Sequence, residues 1–463
     1  MVLTGARTAG ARRRPGKARP RPDADKSKPG LVARQAAARL IAAVTESRAS
    51  LDGLLDPAGG NPAFTGLGDQ DRLLVRAILL SALRHLRVID AAIDALVDTP
   101  LPEGAKALRQ VLRVAAAQIL YLDVPDRAAV DLAVSQADAD PRNRRFSGLV
   151  NAVLRRLARE RDTLLPQLTA VTPRFPDWFE NRLAGTYGAA AAEIVARLGE
   201  PPAIDLTVKS DAEGWARRLG GIVLPTGSVR LGRPDGPVSG LEGFEEGAWW
   251  VQDAAASLPA QLFSRLEGRE IVDLCAAPGG KTAQLVLAGA RVTACDQSAT
   301  RLERLRGNLA RLGLDVETRL GRAQDLVAPE GFDGVLLDAP CSSTGTVRRH
   351  PDIPYTKTPE DIARLAVVQR ALLDHAAGLV RPGGELVFSN CSIDPEEGEE
   401  MVAGFLADHP GWRIRPVDPA RWPGLEGAVT DKGEIRTHPA MLPHADPRLA
   451  GLDGFYAVAL VRH

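Results

Sequence analysis

Nowhere between residues 33 and 160 do apolar residues alternate with polar ones at the two-residue period of a strand. Apolar residues in this span recur at helical spacing instead. In "KALRQVLRVAAAQIL", Leu108, Val111, Leu112, Ala115 and Ile119 fall at i, i+3, i+4, i+7 and i+11, which is one buried stripe on a 3.6-residue helix. "DRLLVRAILLSALRHLRVIDAAIDALV" reads as a longer apolar helix or a pair, and "FSGLVNAVLRRLARE" as another. Helices with such stripes bury them against one another, so residues 31–162 are expected to form an all-α domain with its own core. At 463 residues the chain needs further domains beside it.

The pattern changes near Thr172. "IDLTVKS" and "GIVLPTGSVRL" alternate like short strands with helices between them, so residues 165–250 read as a small α+β module. From about 252 onward, short β-rich runs alternate with helical segments. "EIVDLCAA", "RVTACD", "VETRLG", "FDGVLLDAP" and "GELVFSNCS" are the strands, and "ATRLERLRGNLARLG" is one of the helices between them. That alternation predicts a Rossmann-like α/β domain with a parallel sheet over 251–463, closed by a late antiparallel strand in "GFYAVALVR".

The formal net charge is zero, but residues 1–30 hold nine Lys and Arg against Asp23 and Asp25. With its Pro and Gly content, that stretch reads as a disordered basic tail. Such an arm can hold phosphates, or it can simply be solvated. No 18-residue apolar run and no secretory h-region occur, so neither a membrane span nor a secretory signal is expected. The four cysteines form no C-x-x-C pair, which suits free thiols in a reducing cytoplasm. The seven histidines show no ligand spacing, so no metal site is expected.

"DLCAAPGGKT" ends the first α/β strand and opens a helix. Pro278, Gly279 and Gly280 allow a tight turn and a close backbone approach to a ligand, and ligands of open parallel sheets sit beyond the carboxyl ends of the strands. Asp296 ends the next strand, where a carboxylate suits two ribose hydroxyls. The turn lacks the G-x-G-x-x-G fingerprint, and Lys281 is not in a Walker A context. An adenosine ligand is therefore favoured over a pyrophosphate. Asp338, Cys341 and Cys391 end or follow neighbouring strands in polar turns, where their side chains can converge. Cys275 and Cys295 read as small buried hydrophobes.

"QDAAASL", "DLCAAPGGKT", "LLDAPCSSTGTVRRHPDI" and "NCSIDPEEGEE" resemble successive motifs of the Sun/Fmu RNA cytosine-C5 methyltransferases. "GEIRTHP" and "DGFYAVALVR" resemble that family's C-terminal blocks. "FSGLVNAVLRRL", after a helical domain, resembles the NusB-like RNA-binding module of the RsmB branch. The resemblance runs from about 33 to 463. It implies an S-adenosylmethionine-dependent enzyme in which Cys275, Ala276, Ala277, Pro278, Gly279, Gly280 and Lys281 line the cofactor loop and Asp296 binds the ribose. Asp338 would sit by the cofactor's methyl end and the target cytosine. Cys391 would be the attacking thiolate, and Cys341 would promote release of the enzyme; spacing alone does not say which cysteine attacks. The chemistry is consistent with two thiols. Thiolate addition at C6 makes C5 nucleophilic, and a base must then take the C5 proton so that the thiol can leave. Lys281 or Arg348 is expected to lower the pKa of the nucleophile.

Two departures from the family pattern stand out. Where the family reads G-D-A after the third strand, this chain reads "LGRAQDL", so Arg322 takes the acidic position and Asp325 follows as a candidate adenine-side group. Asn390 stands where the family has Thr before the nucleophile. For RNA, Arg144 and Arg145 in "DPRNRRF", with Arg348, Arg349 and His350 in "VRRHPD", are candidate phosphate contacts. The target base would have to be unstacked or taken from a loop. Small-subunit rRNA is the substrate the resemblance favours. tRNA, large-subunit rRNA, or an inactive RNA-binding or antitermination factor are the alternatives. A monomer is expected.

Overall fold

A computed structural model describes residues 28–57, 59–232 and 236–463; most of the basic N-terminal stretch lies outside these residues. The expected stripe is present: Leu108, Val111, Leu112, Ala115 and Ile119 are all buried on helix Lys106–Tyr121. They join one core with helices Leu31–Ser47, Asp69–Arg84, Leu86–Leu96, Asp126–Ala139 and Ser147–Val171. The long apolar run around residue 85 is thus a helix pair. The expected domain end at 162 falls inside the helix Ser147–Val171, because Leu164 and Leu168 still pack on the helical core.

The middle segment divides its allegiance. Helices Asp177–Tyr187 and Ala191–Leu198 bury Phe179, Leu183, Ile194 and Leu198 together with Val347, Ile353 and Ile393 of the later α/β domain. Beyond them lies a four-stranded antiparallel sheet: β1 (Ile204–Val208), β2 (Ile222–Val223), β3 (Val229–Leu231) and β4 (Trp249–Val251), in order β2-β3-β1-β4. Helix Ala212–Leu219 covers it, and Leu206, Val229, Leu231 and Trp249 fill the space between. β4 straddles the boundary expected at 250.

The α/β domain carries β5 (Glu270–Leu274), β6 (Arg291–Asp296), β7 (Glu317–Leu320), β8 (Phe332–Asp338), β9 (Val380–Asn390), β10 (Trp412–Ile414), β11 (Ile435–Thr437) and β12 (Phe455–Arg462). Their order is β10-β12-β9-β8-β5-β6-β7, with β11 also paired to β12. β5 to β9 run parallel, and β12 is antiparallel to β9. Val335, Leu336 and Leu337 of β8 are wholly buried, as expected for a central parallel strand covered on both faces. From β5 the chain passes to β6 on one side, then returns to β8 on the other. That reversal opens a crevice beyond the carboxyl ends of the strands, where Cys275, Asp296, Asp338 and Cys391 emerge. No helix among the described residues is long and apolar enough to cross a membrane.

Candidate active site

The turn after β5 is tight. The Ala277–Pro278 peptide is cis, and Cys275 and Gly279 have positive φ. Gly279 is left-handed at φ +101°, and a Cβ there would meet Leu305 Cγ at 3.1 Å, so the position favours glycine. Helix Gly280–Leu287 starts immediately. Below the turn, Asp273 is buried and accepts from Thr282 Oγ1 at 2.6 Å, while its other oxygen has no partner among the described residues. Burial, with Asp338 and Asp296 nearby, pushes this carboxyl up to about 7.

Asp296 ends β6 and is 2% exposed. It accepts from Ala277 N at 3.3 Å and Ser298 N at 3.0 Å, and Arg301 lies 3.4 Å away. From this carboxylate a cavity of about 260 Å³ passes Gln297 and Gln324 at one end and reaches Asp338, Cys341 and Cys391 at the other. Asp338 closes β8. Its Oδ2 takes a hydrogen bond from Lys281 Nζ at 2.8 Å and its Oδ1 one from Ser389 Oγ at 2.9 Å. Lys281 is further held over the Phe455 ring, at 4.9 Å from its centroid.

The two sulfurs meet. Cys341 Sγ and Cys391 Sγ are 3.5 Å apart, and Cys341 lies 3.9 Å from Ser343 Oγ. The pair is asymmetric. Hydrogen bonding to Cys391 and burial raise the Cys341 thiol, whereas the hydrogen bond from Cys341, with Lys281 nearby, lowers Cys391 against the cost of burial. Of the two, Cys391 is the more acidic thiol. Cys275 and Cys295 are pushed up, mainly by burial, to about 12 and about 11, so neither is a thiolate near neutrality.

A second cavity of about 380 Å³ reaches Asp338 from the other side, between the small sheet and the 276–281 turn. Trp250, Gln252, Asp253 and Lys281 line it.

A family model described as 16S rRNA methyltransferase RsmB/F matches residues 260–461, and a NusB family model matches 31–159. A protein of Cronobacter sakazakii named ribosomal RNA small subunit methyltransferase B is 33% identical over 416 residues, spanning 86% of this chain and 95% of that protein. A protein of the same name from Klebsiella pneumoniae is 34% identical, also over 86% of this chain and 95% of its own length. The chain belongs to the RsmB/F family of RNA methyltransferases. Among solved structures, PH0851 aligns with 93% of the chain at a TM-score of 0.69 and 24% identity, a likeness of fold. A methyltransferase homologue from Pyrococcus horikoshii aligns with 61% of the chain at a TM-score of 0.50 and 25% identity.

RsmB/F enzymes take their methyl group from S-adenosylmethionine, and the residues here fit it. The cavity runs from a strand-end carboxylate suited to a ribose diol to the paired sulfurs, with an apolar wall from Val368 and Leu372. The adenine-side expectation needs correction. Arg322 and Asp325 close on each other at 2.7 Å, both exposed, and neither lines the cavity; Gly321, Ala323 and Gln324 do. Asp325 is bonded to its neighbour, and of the two residues Gln324 and Asp325 only Gln324 lines the cavity.

Two of the RNA contacts expected in "VRRHPD" also fail for this RsmB/F member. Arg348 is 1% exposed and donates to the carbonyls of Ala450 at 3.1 Å and Pro201 at 3.4 Å. Arg349 pairs with Asp253 at 2.5 Å and Asp453 at 2.6 Å, both buried. Their guanidinium groups point inward because buried carbonyls and carboxylates need them there. The basic groups that act on the Cys391 sulfur are Lys281 and His350. His350 is partly exposed and lies 3.4 Å from Asp52 of the helical domain. Arg144 and Arg145 are exposed, Arg144 donating to Asp138 O at 3.0 Å and Arg145 lying 4.7 Å above the Phe146 ring. The sequence reading missed Ser389, although β8 and β9 pair it directly with Asp338.

Proposed function

We propose that this enzyme methylates C5 of a cytosine in small-subunit rRNA, through a transient bond between Cys391 and C6 of the base. The observation that carries this reading is the pair of sulfurs 3.5 Å apart beside Asp338. Enzymes that methylate such a carbon without a nucleophile and a second proton acceptor would have no use for two adjacent thiols.

The extruded cytosine sits where the two cavities meet at Asp338. The Cys391 thiolate adds to C6, forming the Sγ–C6 bond, and the C5=C6 electron pair moves into the ring. Asp338 lies at the N3 side, where a shared proton balances the charge, and Lys281 holds that carboxyl in place. S-adenosylmethionine supplies an electrophilic methyl group. Once C5 carries it, the C5 proton passes to Cys341, whose own thiol proton has first gone to solvent. The C5–H electron pair re-forms C5=C6 as the Sγ–C6 bond breaks and returns its electrons to Cys391. Cys341 is placed to serve that elimination. Arg144 and Arg145 hold RNA phosphates on the helical domain. The protein works as a monomer in the cytoplasm and without a metal. The names of the RsmB relatives support the small-subunit substrate.

Two experiments test this reading. Cys391→Ala abolishes methyl transfer, and Cys341→Ala accumulates a protein–RNA adduct that survives a denaturing gel. If Cys391→Ala forms the adduct instead, the two roles are reversed. Bisulfite sequencing of RNA from a deletion strain loses one 5-methylcytosine in small-subunit rRNA; loss in tRNA or large-subunit rRNA alone overturns the substrate.

A further inference from the structure

We propose that Glu397 is a positioning residue that holds the two reactive sulfurs in register, by tying the neighbour of each cysteine to one buried side chain. The proposal rests on both cysteines acting in the reaction. The need for such a tie follows from the sheet. The β8–β9 ladder pairs Asp338 with Ser389, and Ala339 N still donates to Ser389 O at 2.8 Å. Both chains then leave the sheet. Beyond it Gly345 N donates to Cys391 O at 3.0 Å and Ser342 Oγ to Ser392 Oγ at 3.3 Å, ties on the far side of the cysteines. They leave the stretches between the ladder and each sulfur to be fastened separately.

Glu397 bridges that gap. It is 0% exposed. Its Oε1 accepts from Ser342 N at 2.9 Å and from Gln369 Nε2 at 2.7 Å, and its Oε2 accepts from Ser342 Oγ. Ser342 is the residue after Cys341. On the other side, the backbone carbonyl of Glu397 accepts from Asn390 Nδ2 at 2.6 Å, and that amide also donates to Gln369 Oε1 at 3.1 Å. Asn390 is the residue before Cys391. The flanking residue of each cysteine is therefore fastened to the same glutamate, once through its carboxylate and once through its carbonyl. Asn390, where the family resemblance expects Thr, has the reach to make both of these bonds while its Oδ1 accepts from Ser392 N at 3.0 Å.

The chemistry of the group argues for function over stability. A buried carboxylate is costly unless cations or several donors hold it. None of the ion pairs formed by the described residues includes Glu397, which relies on neutral donors. An amide or an apolar side chain would suit packing at lower cost. Burial raises the Glu397 carboxyl, and the hydrogen bonds from Ser342 and Ser392 work against that rise. When ionised it puts a negative charge on the Cys341 side, where it adds to the hydrogen bond to Cys391 and to burial in raising that thiol.

The test uses the full-length protein as Glu397→Gln and Glu397→Ala variants. A trivalent arsenical, phenylarsine oxide, binds tightly only when two thiols can close on it, so it reads sulfur separation without RNA or turnover. Glu397→Ala weakens its binding about tenfold, as chelation gives way to single-thiol contact. The same variant lowers kcat roughly 100-fold, with KM for RNA and cofactor little changed, as expected for displaced reacting groups. Limited alkylation with iodoacetamide, read by mass spectrometry, marks Cys391 first in the unaltered protein and both cysteines comparably in Glu397→Gln. If the alanine variant does not fold, the alkylation ratio of the glutamine variant decides. Arsenical affinity and alkylation ratio unchanged in the folded variants overturn the proposal. Normal thiol geometry with no adduct in Cys341→Ala instead overturns the catalytic reading on which it rests.

Discussion

Arg349 places a single guanidinium between two buried carboxylates, Asp253 at 2.5 Å and Asp453 at 2.6 Å. The three residues come from three different motifs, so this cation joins the segment before β5, the loop after Cys341 and the segment before β12. Removing one partner of a buried ionic cluster leaves charge with no compensation. Arg349→Ala should therefore cost about 3–5 kcal/mol of stability in urea unfolding, and any RNA affinity change should vanish once the folded fraction is corrected for. Loss of RNA binding at full stability would restore Arg349 as a phosphate contact. The adenine end offers a contrasting case. Asp325 and Arg322 are exposed and bonded to each other, whereas Gln324 lines the cavity. Asp325→Ala should leave S-adenosylhomocysteine affinity unchanged in calorimetry. Gln324→Ala should weaken it by about 1 kcal/mol, the usual worth of one hydrogen bond.

At the scale of elements, the small sheet is fixed to the catalytic domain through β1 and β3. Asp205 and Arg230 are each about 1% exposed and form a double hydrogen bond of 2.7 and 2.7 Å. Asp205 also accepts from Ala254 N, and Arg230 donates to Leu449 O and Gly451 O. Asp205→Asn should strand a buried cation and cost about 3–5 kcal/mol, whereas the exposed pair Arg319–Glu317 should contribute under about 1 kcal/mol in the same assay. The difference between these two arginines shows what local sequence conveys. β5, β6, β8 and β9 were legible because each is a short apolar run bounded by turn residues, and that same punctuation marks Asp296, Asp338, Cys341 and Cys391 at their ends. β4 was not, because Trp249–Val251 is three residues long and gains its identity only by pairing with β1. "VRRHP" reads as an exposed basic loop, since its carboxylate partners lie 96 and 104 residues away in sequence. Glu397 and Gln369 are hidden for the same reason: their role exists only once β8 and β9 are neighbours.

The whole molecule is arranged so that the helical domain touches the loop that follows Cys341. Arg84 donates to Arg348 O at 2.7 Å, Leu51 N donates to Asp352 at 2.9 Å, and Tyr355 packs against the helical core. At the edge of this contact His350 meets Asp52 at 3.4 Å, with Asp352, Arg76 and Arg304 also acting on the pair. The His350 value is raised above 6.5 because Asp52 and Asp352 outweigh its burial. A raised folded value means that the imidazolium contributes its full stabilisation below 6.5 and loses it as pH rises through the folded value. Asp52 is lowered from 3.8, chiefly by the hydrogen bond to His350, so its contribution is present above 3.8 and is lost as pH falls through the lowered value. The bond between the domains thus operates fully from pH 3.8 upward and is lost as pH rises through the raised histidine value. Because Asp52 is 76% exposed, the pair is worth only about 0.5 kcal/mol. Asp52→Asn should lower the melting temperature more at about pH 5.5 than at alkaline pH above the raised His350 value, where only the attraction of Asp52 to Arg76 and Arg304 is left to lose. An equal loss at both pH values would mean that Asp52 holds the domains by packing and that the charge on His350 plays no part.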